Sequence, residues 1–313
     1  MSQTWSIIEN GFKVSTNRAY EGLFTLGSGY LHLRGSLEEH LRDAPQNADY
    51  MRRPANVTSE KFVETKAKWG AYVPGIYGPH PLCNSELVNL PFFLDLCPVV
   101  AGEPLDLERS RIDACTRTLD MRTATLRREL DWDSPSGRIR VSFERFVSAV
   151  RPAVCVQRMT LRADRAIEVT VFAGIDADVR TNGYDHFKEA QVTRAGVSAI
   201  CCHLEIDSGD CVDIESRLIA AGAAWEQHEE RRRVRLSAVL KIPAGGSVTV
   251  EKRTAVATSR DAGVKSPAGI LDAAGAAGWD TLHAEHTAAW EARWAGADVL
   301  IEGDDEAQLA MRA

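Results

Sequence analysis

From about Thr118 onward the apolar residues recur at every second position, a period that extended strands bury on one side and leave wet on the other. The clearest run is Val234, Leu236, Ala238, Leu240 and Ile242, interleaved with Arg235, Ser237, Val239 and Lys241. Ile167, Val169, Val171 and Ala173 form a second run, and Val248 and Val250 open a third after the turn-like 243–246 segment, Pro-Ala-Gly-Gly. Ile139, Val141 and Phe143 alternate in the same way. There the phase slips to Phe146, Ser148 and Val150, which predicts a β-bulge near Glu144 and Arg145. Before residue 118 the pieces are shorter (6–8, 30–33 and 86–90) and separated by loops rich in Pro, Gly and Asn. Many short strands and hardly any helix before residue 268 predict a mainly β chain, a large antiparallel β-sandwich rather than alternating βαβ units. At 313 residues the chain has room for two domains or one large all-β domain.

The composition changes near the C-terminal end. Residues 267–295 hold ten alanines, and Leu282, His286, Trp290 and Trp294 recur at i, i+4, with Asp280 placed as an N-cap. This predicts a helix with an aromatic stripe, which either lies back on the sheets or docks on whatever follows. Asp304, Asp305 and Glu306 then open a second helical pattern that stops after two turns.

Charge and cysteine usage narrow the function. Lys and Arg total 37 against 44 Asp and Glu, a net charge of −7; such a surface has no field for phosphate backbones or anionic lipid, so neither nucleic acid nor membrane is an expected partner. The start of the chain lacks a basic region followed by an apolar one, and no apolar stretch is long enough to span a bilayer. Seven cysteines, an odd number without a CxxC pair, predict reduced thiols and a cytoplasmic protein.

Signatures of nucleotide binding, serine hydrolysis and zinc proteolysis are absent; the glycine-rich stretch at Gly27 and Gly29 has His32 where a third glycine would fall. His283 and His286 share a helix face, but no third ligand is evident and no metal is expected. Asp176, Asp178, Asn182 and Asp185 have the look of a cation loop, yet Arg180 is placed to neutralise the first two, and Asn182-Gly183 reads as a hairpin turn. Glu38 and Glu39 are adjacent and do not make a convincing acid–base pair. The segment from Trp69 to Pro81 packs three aromatic rings, a histidine and three prolines into thirteen residues. Rigid flat rings suit sugar faces, so Trp69, Tyr72, Tyr77 and His80 are candidates for a substrate rim; plugging the open end of the sandwich is the competing role.

Five pieces occur in one order: YEGLFTLGSGYLHLRGSLEE (20–39), YVPGIYG with ELVNLPFFL (72–94), LDMRTATLRRE (119–129), TSRD (258–261) and EHTAAWEARWAGADVLIEGDDEAQLAMR (285–312). Together they resemble the N-terminal half of glycoside hydrolase family 65, the phosphorylases and hydrolases of maltose, trehalose, kojibiose and nigerose. The resemblance implies a super-sandwich over 1–268, linker helices over 269–297 and the first residues of an (α/α)6 barrel over 298–313. It implies no cofactor, inorganic phosphate as co-substrate for a phosphorylase, an α-linked glucose disaccharide as substrate, a barrel in cis or on a separate chain, and a homodimer. Leu282, His286, Trp290 and Trp294 then become candidates for facing that barrel. Mechanism in the family is inversion: a carboxylic acid protonates the glycosidic oxygen while phosphate, or activated water, attacks from the opposite face. The family's general acid and phosphate-binding residues lie in the barrel, so no catalytic residue is assigned within this chain, and a non-catalytic carbohydrate-binding or scaffold module is the alternative. Ser28 and His32 depart from the family's usual LGNGYLGVRG, so the substrate is not to be copied from a maltose or trehalose enzyme.

Overall fold

The computed structural model describes residues 3–39, 61, 70–263 and 266–313. Strand β1 (Ser6–Asn10) and helix α1 (Val14–Leu23) open the chain. Short strands β2 (Leu26–Gly27), β3 (His32–Leu33) and β4 (Ala71–Tyr72) form a small sheet, and β5 (Tyr77–His80) pairs with β6 (Asn84–Leu87). Then come β7 (Leu96–Val100), β8 (Glu103–Pro104), β9 (Ile112–Asp120), β10 (Thr125–Ser134), β11 (Gly137–Val147), β12 (Val154–Ala163) and β13 (Ile167–Asp176). The series ends with β14 (Phe187–Arg194), β15 (Ala199–Ile206), β16 (Cys211–Ile219), β17 (Glu226–Glu230), β18 (Arg233–Ile242) and β19 (Ser247–Thr258). Nine strands make one antiparallel sheet in the order β1-β9-β10-β11-β12-β19-β16-β15-β14, and five make a second, β17-β18-β13-β7-β8. Their inner faces share one core, in which Val141, Phe143, Met159 and Val250 of the large sheet join Val169, Val171, Leu236 and Leu240 of the small one. This is the sandwich that the period-two runs predict.

The predicted bulge is not there. Strand β11 pairs in unbroken register on both sides, Arg145 standing opposite Leu126 and Gln157. Ile139, Val141, Phe143, Arg145 and Val147 all point inward, and Phe146 is buried on the outer face instead. The phase slip has two causes: a buried charge at Arg145 occupies an inner position, and the outer face turns from polar to apolar where helices cover it. The strand ends at Val147, so Ser148 and Val150 belong to the following turn.

Helices α2 (Pro267–Ala274) and α3 (Trp279–Ala297) supply that cover. Leu271, Trp279 and Leu282 pack on Phe146, Val154, Val156 and Ala255 in a second core. Ser266 caps α2, its hydroxyl accepting from the Gly269 amide, with Pro267 at the first position. Asp280 is not a cap: the N-cap of α3 is Gly278, two residues before the position expected, and the Glu251 carboxylate accepts from the Trp279 amide at 3.3 Å. The stripe itself faces the sandwich. Leu282 and His286 are buried, His286 stacks on Phe146 with centroids 4.5 Å apart, and its Nδ1 accepts from the Ala149 amide at 3.1 Å. Trp290 and Trp294 are half-buried; Trp294 donates to the Met121 carbonyl at 3.0 Å and meets Trp5 edge-on at 5.1 Å. Of the two roles open to this stripe, lying back on the sheets is the one that Leu282 and His286 take, on the apolar surface of Phe146 and its neighbours.

A third helix, α4 (Asp305–Arg312), is capped by Asp304 as the acidic start predicts and returns to the N-terminus, where Arg312 stacks on Trp5 and bonds Thr4 and Asp298. Helix α1 escaped the sequence pattern because its buried residues are Asn17 and Glu21, joined at 3.0 Å, rather than an apolar stripe. No helix among the described residues is long and apolar enough to cross a membrane.

Several buried charges among the described residues are paired. Arg128 of β10 binds both Glu38 and Glu39, and Arg145 of β11 binds Glu38 at 2.6 Å; all four side chains are buried. Arg117 of β9 holds Glu9 at 2.5 Å. Removing one partner of such a group strands its counter-charge away from water, so Arg128→Ala is expected to cost about 3–5 kcal/mol. Urea unfolding midpoints check this, with Arg127→Ala, exposed on the same strand, expected to change stability by no more than about 0.5 kcal/mol.

Burial pushes His286 down to about 4, whereas an unfolded chain protonates it near 6.5. The neutral ring stabilises the fold fully above pH ~6.5, and that contribution is lost as pH falls toward ~4 because the unfolded state takes up the proton first. At ~1.4 kcal/mol per pH unit the loss is up to roughly 3 kcal/mol. In urea titrations from about pH 7.5 to about pH 5 the stability gap between wild type and His286→Asn, which keeps an acceptor for Ala149, is expected to shrink; parallel curves would contradict it.

Candidate functional site

The 20–39 and 258–261 pieces meet at one corner of the sandwich. Ser28 closes the β2–β3 turn: its hydroxyl accepts from the amides of Tyr30 and Leu31 and donates to the Pro152 carbonyl at 2.7 Å. Gly29 sits at φ +90°, a conformation that a side chain would strain. The turn projects Tyr30, whose hydroxyl donates to Asp261 Oδ2 at 2.7 Å. Asp261 also accepts from the Thr258 amide at 2.8 Å and the Thr258 hydroxyl at 3.1 Å. Burial, then the bond to Asp261, raises the Tyr30 phenol far above its usual range, so it remains a donor. Beside it, Arg260 binds Asp210 through two bonds of 2.8 and 2.9 Å, and this lowers the Asp210 carboxyl.

Around Tyr30 and Asp261 lies a cavity of about 590 Å³, walled also by Val150, Pro152 and Ala153 of the β11–β12 turn and by Ile270 of α2. Its lining is largely apolar. Asp261 is the one carboxylate among its described lining residues, and both oxygens already accept bonds. Glycosidic cleavage needs two carboxyl groups about 5–9.5 Å apart across the bond. This cavity can hold an apolar face or a ring; its described lining residues do not supply an acid–base pair. Glu38 and Glu39 are likewise consumed by Arg128 and Arg145.

The rim candidates among the described residues, Tyr72, Tyr77 and His80, differ in exposure. Trp69 lies outside the described residues. Val73 and Ile76 anchor the loop in the core, and a turn over Pro74 and Gly75 (φ +100°) closes with the Ile76 amide bonded to the Val73 carbonyl. Tyr72 of β4 is half-buried, its phenol raised first by burial. Tyr77 is the exposed ring of the group, at 47%. His80 is buried at 3%, edge-on to Tyr184 with centroids 5.2 Å apart. Gly75 approaches Arg260, so this loop borders the same corner as Tyr30 and Asp261.

Two further placements bear on the sequence reading. Arg180 binds Asp178 at 3.0 Å and Asp185 at 3.6 Å, Asp185 taking the place foreseen for Asp176. Asn182 and Gly183 form the predicted hairpin turn, both at positive φ. What the sequence did not signal is the cluster of Cys83, Glu86 and His186 around His80. His186 Nε2 lies 2.7 Å from Glu86 Oε1, and Asn182 donates to Glu86 Oε2 at 2.7 Å. His80 and Glu86 are brought together by the hairpin, and His186 arrives from a segment 100 residues away, so short-range spacing carried only part of the pattern.

The pieces that carry the family resemblance bond to one another. Tyr30 reaches Asp261, Glu39 reaches Arg128, and Trp294 reaches Met121, so they mark joints of the fold. The model of the glycosyl hydrolase family 65 N-terminal domain matches residues 7–293. Kojibiose phosphorylase of Halothermothrix orenii is 27% identical over 99% of this chain and 39% of its own length. The α,α-trehalose phosphorylase of Thermoanaerobacter brockii is 24% identical over 99% of this chain and 42% of its own. Maltose phosphorylase of Bacillus subtilis is 24% identical over 98% of this chain and 41% of its own. A solved structure of a candidate kojibiose phosphorylase from the human microbiome superposes with a TM-score of 0.82 at 17% identity, over 100% of this chain and 41% of that one, which shows the shared fold. The chain thus spans about two fifths of the length of the curated relatives it matches. With the family model running from strand β1 into helix α3, the chain belongs to glycosyl hydrolase family 65, as that family's N-terminal domain.

Proposed function

We propose that this chain is the sandwich portion of an inverting α-glucoside phosphorylase or hydrolase that acts on glucose disaccharides, and that the bond-breaking groups belong to polypeptide outside it. The observation that carries the reading is the coverage: relatives named as phosphorylases match this chain almost throughout, and the match occupies only about two fifths of their length. The chemistry of the described residues supports it. The largely apolar cavity presents a single carboxylate with both oxygens in use.

In this reading the sandwich (1–268), the helices over 269–297 and the segment 298–313 form a platform for an (α/α)6 barrel, in cis or on a separate chain, with a homodimer as the assembly. The barrel's acid protonates the glycosidic oxygen and inorganic phosphate attacks the anomeric carbon from the opposite face. Phosphate is already an anion and needs donors to hold it rather than a base to activate it. The corner of Tyr30, Asp261 and the 70–81 loop is the part of this chain best placed to border the sugar pocket, with Tyr77 as its exposed ring.

Assays of phosphorolysis and hydrolysis of kojibiose, trehalose, maltose and nigerose with this chain alone are expected to show no turnover. Clear release of glucose 1-phosphate or glucose by the isolated chain would overturn the proposal.

A further inference from the structure

The β5–β6 hairpin brings three different metal-ligand chemistries to one point: an imidazole, a thiol and a carboxylate. His80, Cys83 and Glu86 each offer one donor atom, and these atoms lie within 4.8 Å of one another. The spacing is H-x2-C-x2-E across a tight reversal, with Asn84 at φ +62° turning the chain between the last two. His80 and Glu86 are buried, whereas Cys83 is exposed, so the cluster is walled on the protein side and open on the thiol side.

The donors are oriented as ligands. The Leu82 amide donates to His80 Nδ1 at 3.2 Å, which makes that nitrogen the unprotonated one. Cys83 Sγ faces the same nitrogen at 3.2 Å. Tetrahedral zinc with bonds of ~2.3 Å to sulfur and ~2.0 Å to nitrogen needs ligand atoms roughly 3.5 Å apart, so this pair opens by a few tenths of an ångström. Glu86 is held from behind: His186 lies at 2.7 Å from one oxygen and Asn182 donates to the other at 2.7 Å. Outer hydrogen bonds of this kind orient metal-binding carboxylates.

We propose that His80, Cys83 and Glu86 form a three-ligand site for a thiophilic divalent cation, zinc by preference, with His186 and Asn182 orienting Glu86. One thiolate and one carboxylate cancel the charge of the dication, which removes the main cost of placing it beside buried groups. The fourth position opens to solvent beside Cys83. The bound ion clips the β5–β6 hairpin to the turn at Asn182 and Gly183, and thereby stiffens the segment that follows the 70–77 loop.

The test uses the full chain, stripped with a chelator and titrated with Zn²⁺ and with Co²⁺ as a spectroscopic probe. The expected result is one ion per chain, release of protons on binding, and a thiolate-to-cobalt charge-transfer band. Cys83→Ala, at an exposed position that leaves the core intact, is expected to abolish that band. His186→Asn is expected to weaken binding by about 10–100-fold, Glu86→Gln, which removes a ligand, to weaken it further, and Cys211→Ala to bind as wild type. No stoichiometric binding by the wild-type chain, or an unchanged band in Cys83→Ala, overturns the proposal.

Discussion

The buried pairing of Arg128 and Arg145 with Glu38 and Glu39 is the constraint around which the rest of the sandwich is arranged. Desolvating four charged groups is expensive, and they are tolerable only when every partner is in place. That requirement sets the path of residues 34–39 beneath the large sheet. It also joins the two sheets, since the Glu38 carbonyl accepts from the Leu96 amide of β7. Arg128 lies on the ring of Phe143 with its guanidinium carbon 4.2 Å from the centroid, so the charge is packed as well as paired. Lys252 is held differently: buried between the sheets, it donates to the backbone carbonyls of Asp95 and Gly174, and burial pushes it down to about 7. Such interior polarity favours one arrangement of strands over near alternatives, because a shifted register would leave charges unmet.

The outer face of the large sheet follows a different rule. At one end it is wet, with Arg138 and Arg140 exposed; at the other, Phe146, Val154, Val156 and Ala255 are roofed by α2 and α3. Arg158 lies over the Trp279 ring at 4.5 Å, at the border between the two. The helices are therefore part of the sandwich's own packing. The opposite side of α3, with Thr281, Ala284, Ala288 and Ala292, is exposed, as are Val299 and Leu300 of the C-terminal segment.

Much of this was legible in the residues. Alternation located β13, β18 and β19, the alanine-rich stretch with its i, i+4 aromatics located α3, and Asn182-Gly183 located its turn. Each is a local signal, set by side-chain geometry within a few residues. The errors share a cause: they concern which neighbour covers a surface. Phe146 looked like a slipped phase because its cover comes from Trp279 and His286, more than 130 residues on. Helix α1 was missed because its buried residues, Asn17 and Glu21, are polar and bond each other rather than forming an apolar stripe. For Leu282 and His286 the periodicity left two covers open, the sheets or a following segment, because the partner surface is not written in the local sequence.

By itself the sequence determined the antiparallel strands, the terminal helices and the resemblance to glycosyl hydrolase family 65, because periodicity and motif order are written along the chain. Only the tertiary structure decided that the aromatic stripe turns inward, that Glu38 and Glu39 neutralise arginines, that His80 meets Cys83 and Glu86, and that Asp261 is spent on Tyr30 and Thr258. Those outcomes depend on groups up to 231 residues apart, and a carboxylate or imidazole takes its role from the charge, burial and donors that folding places around it.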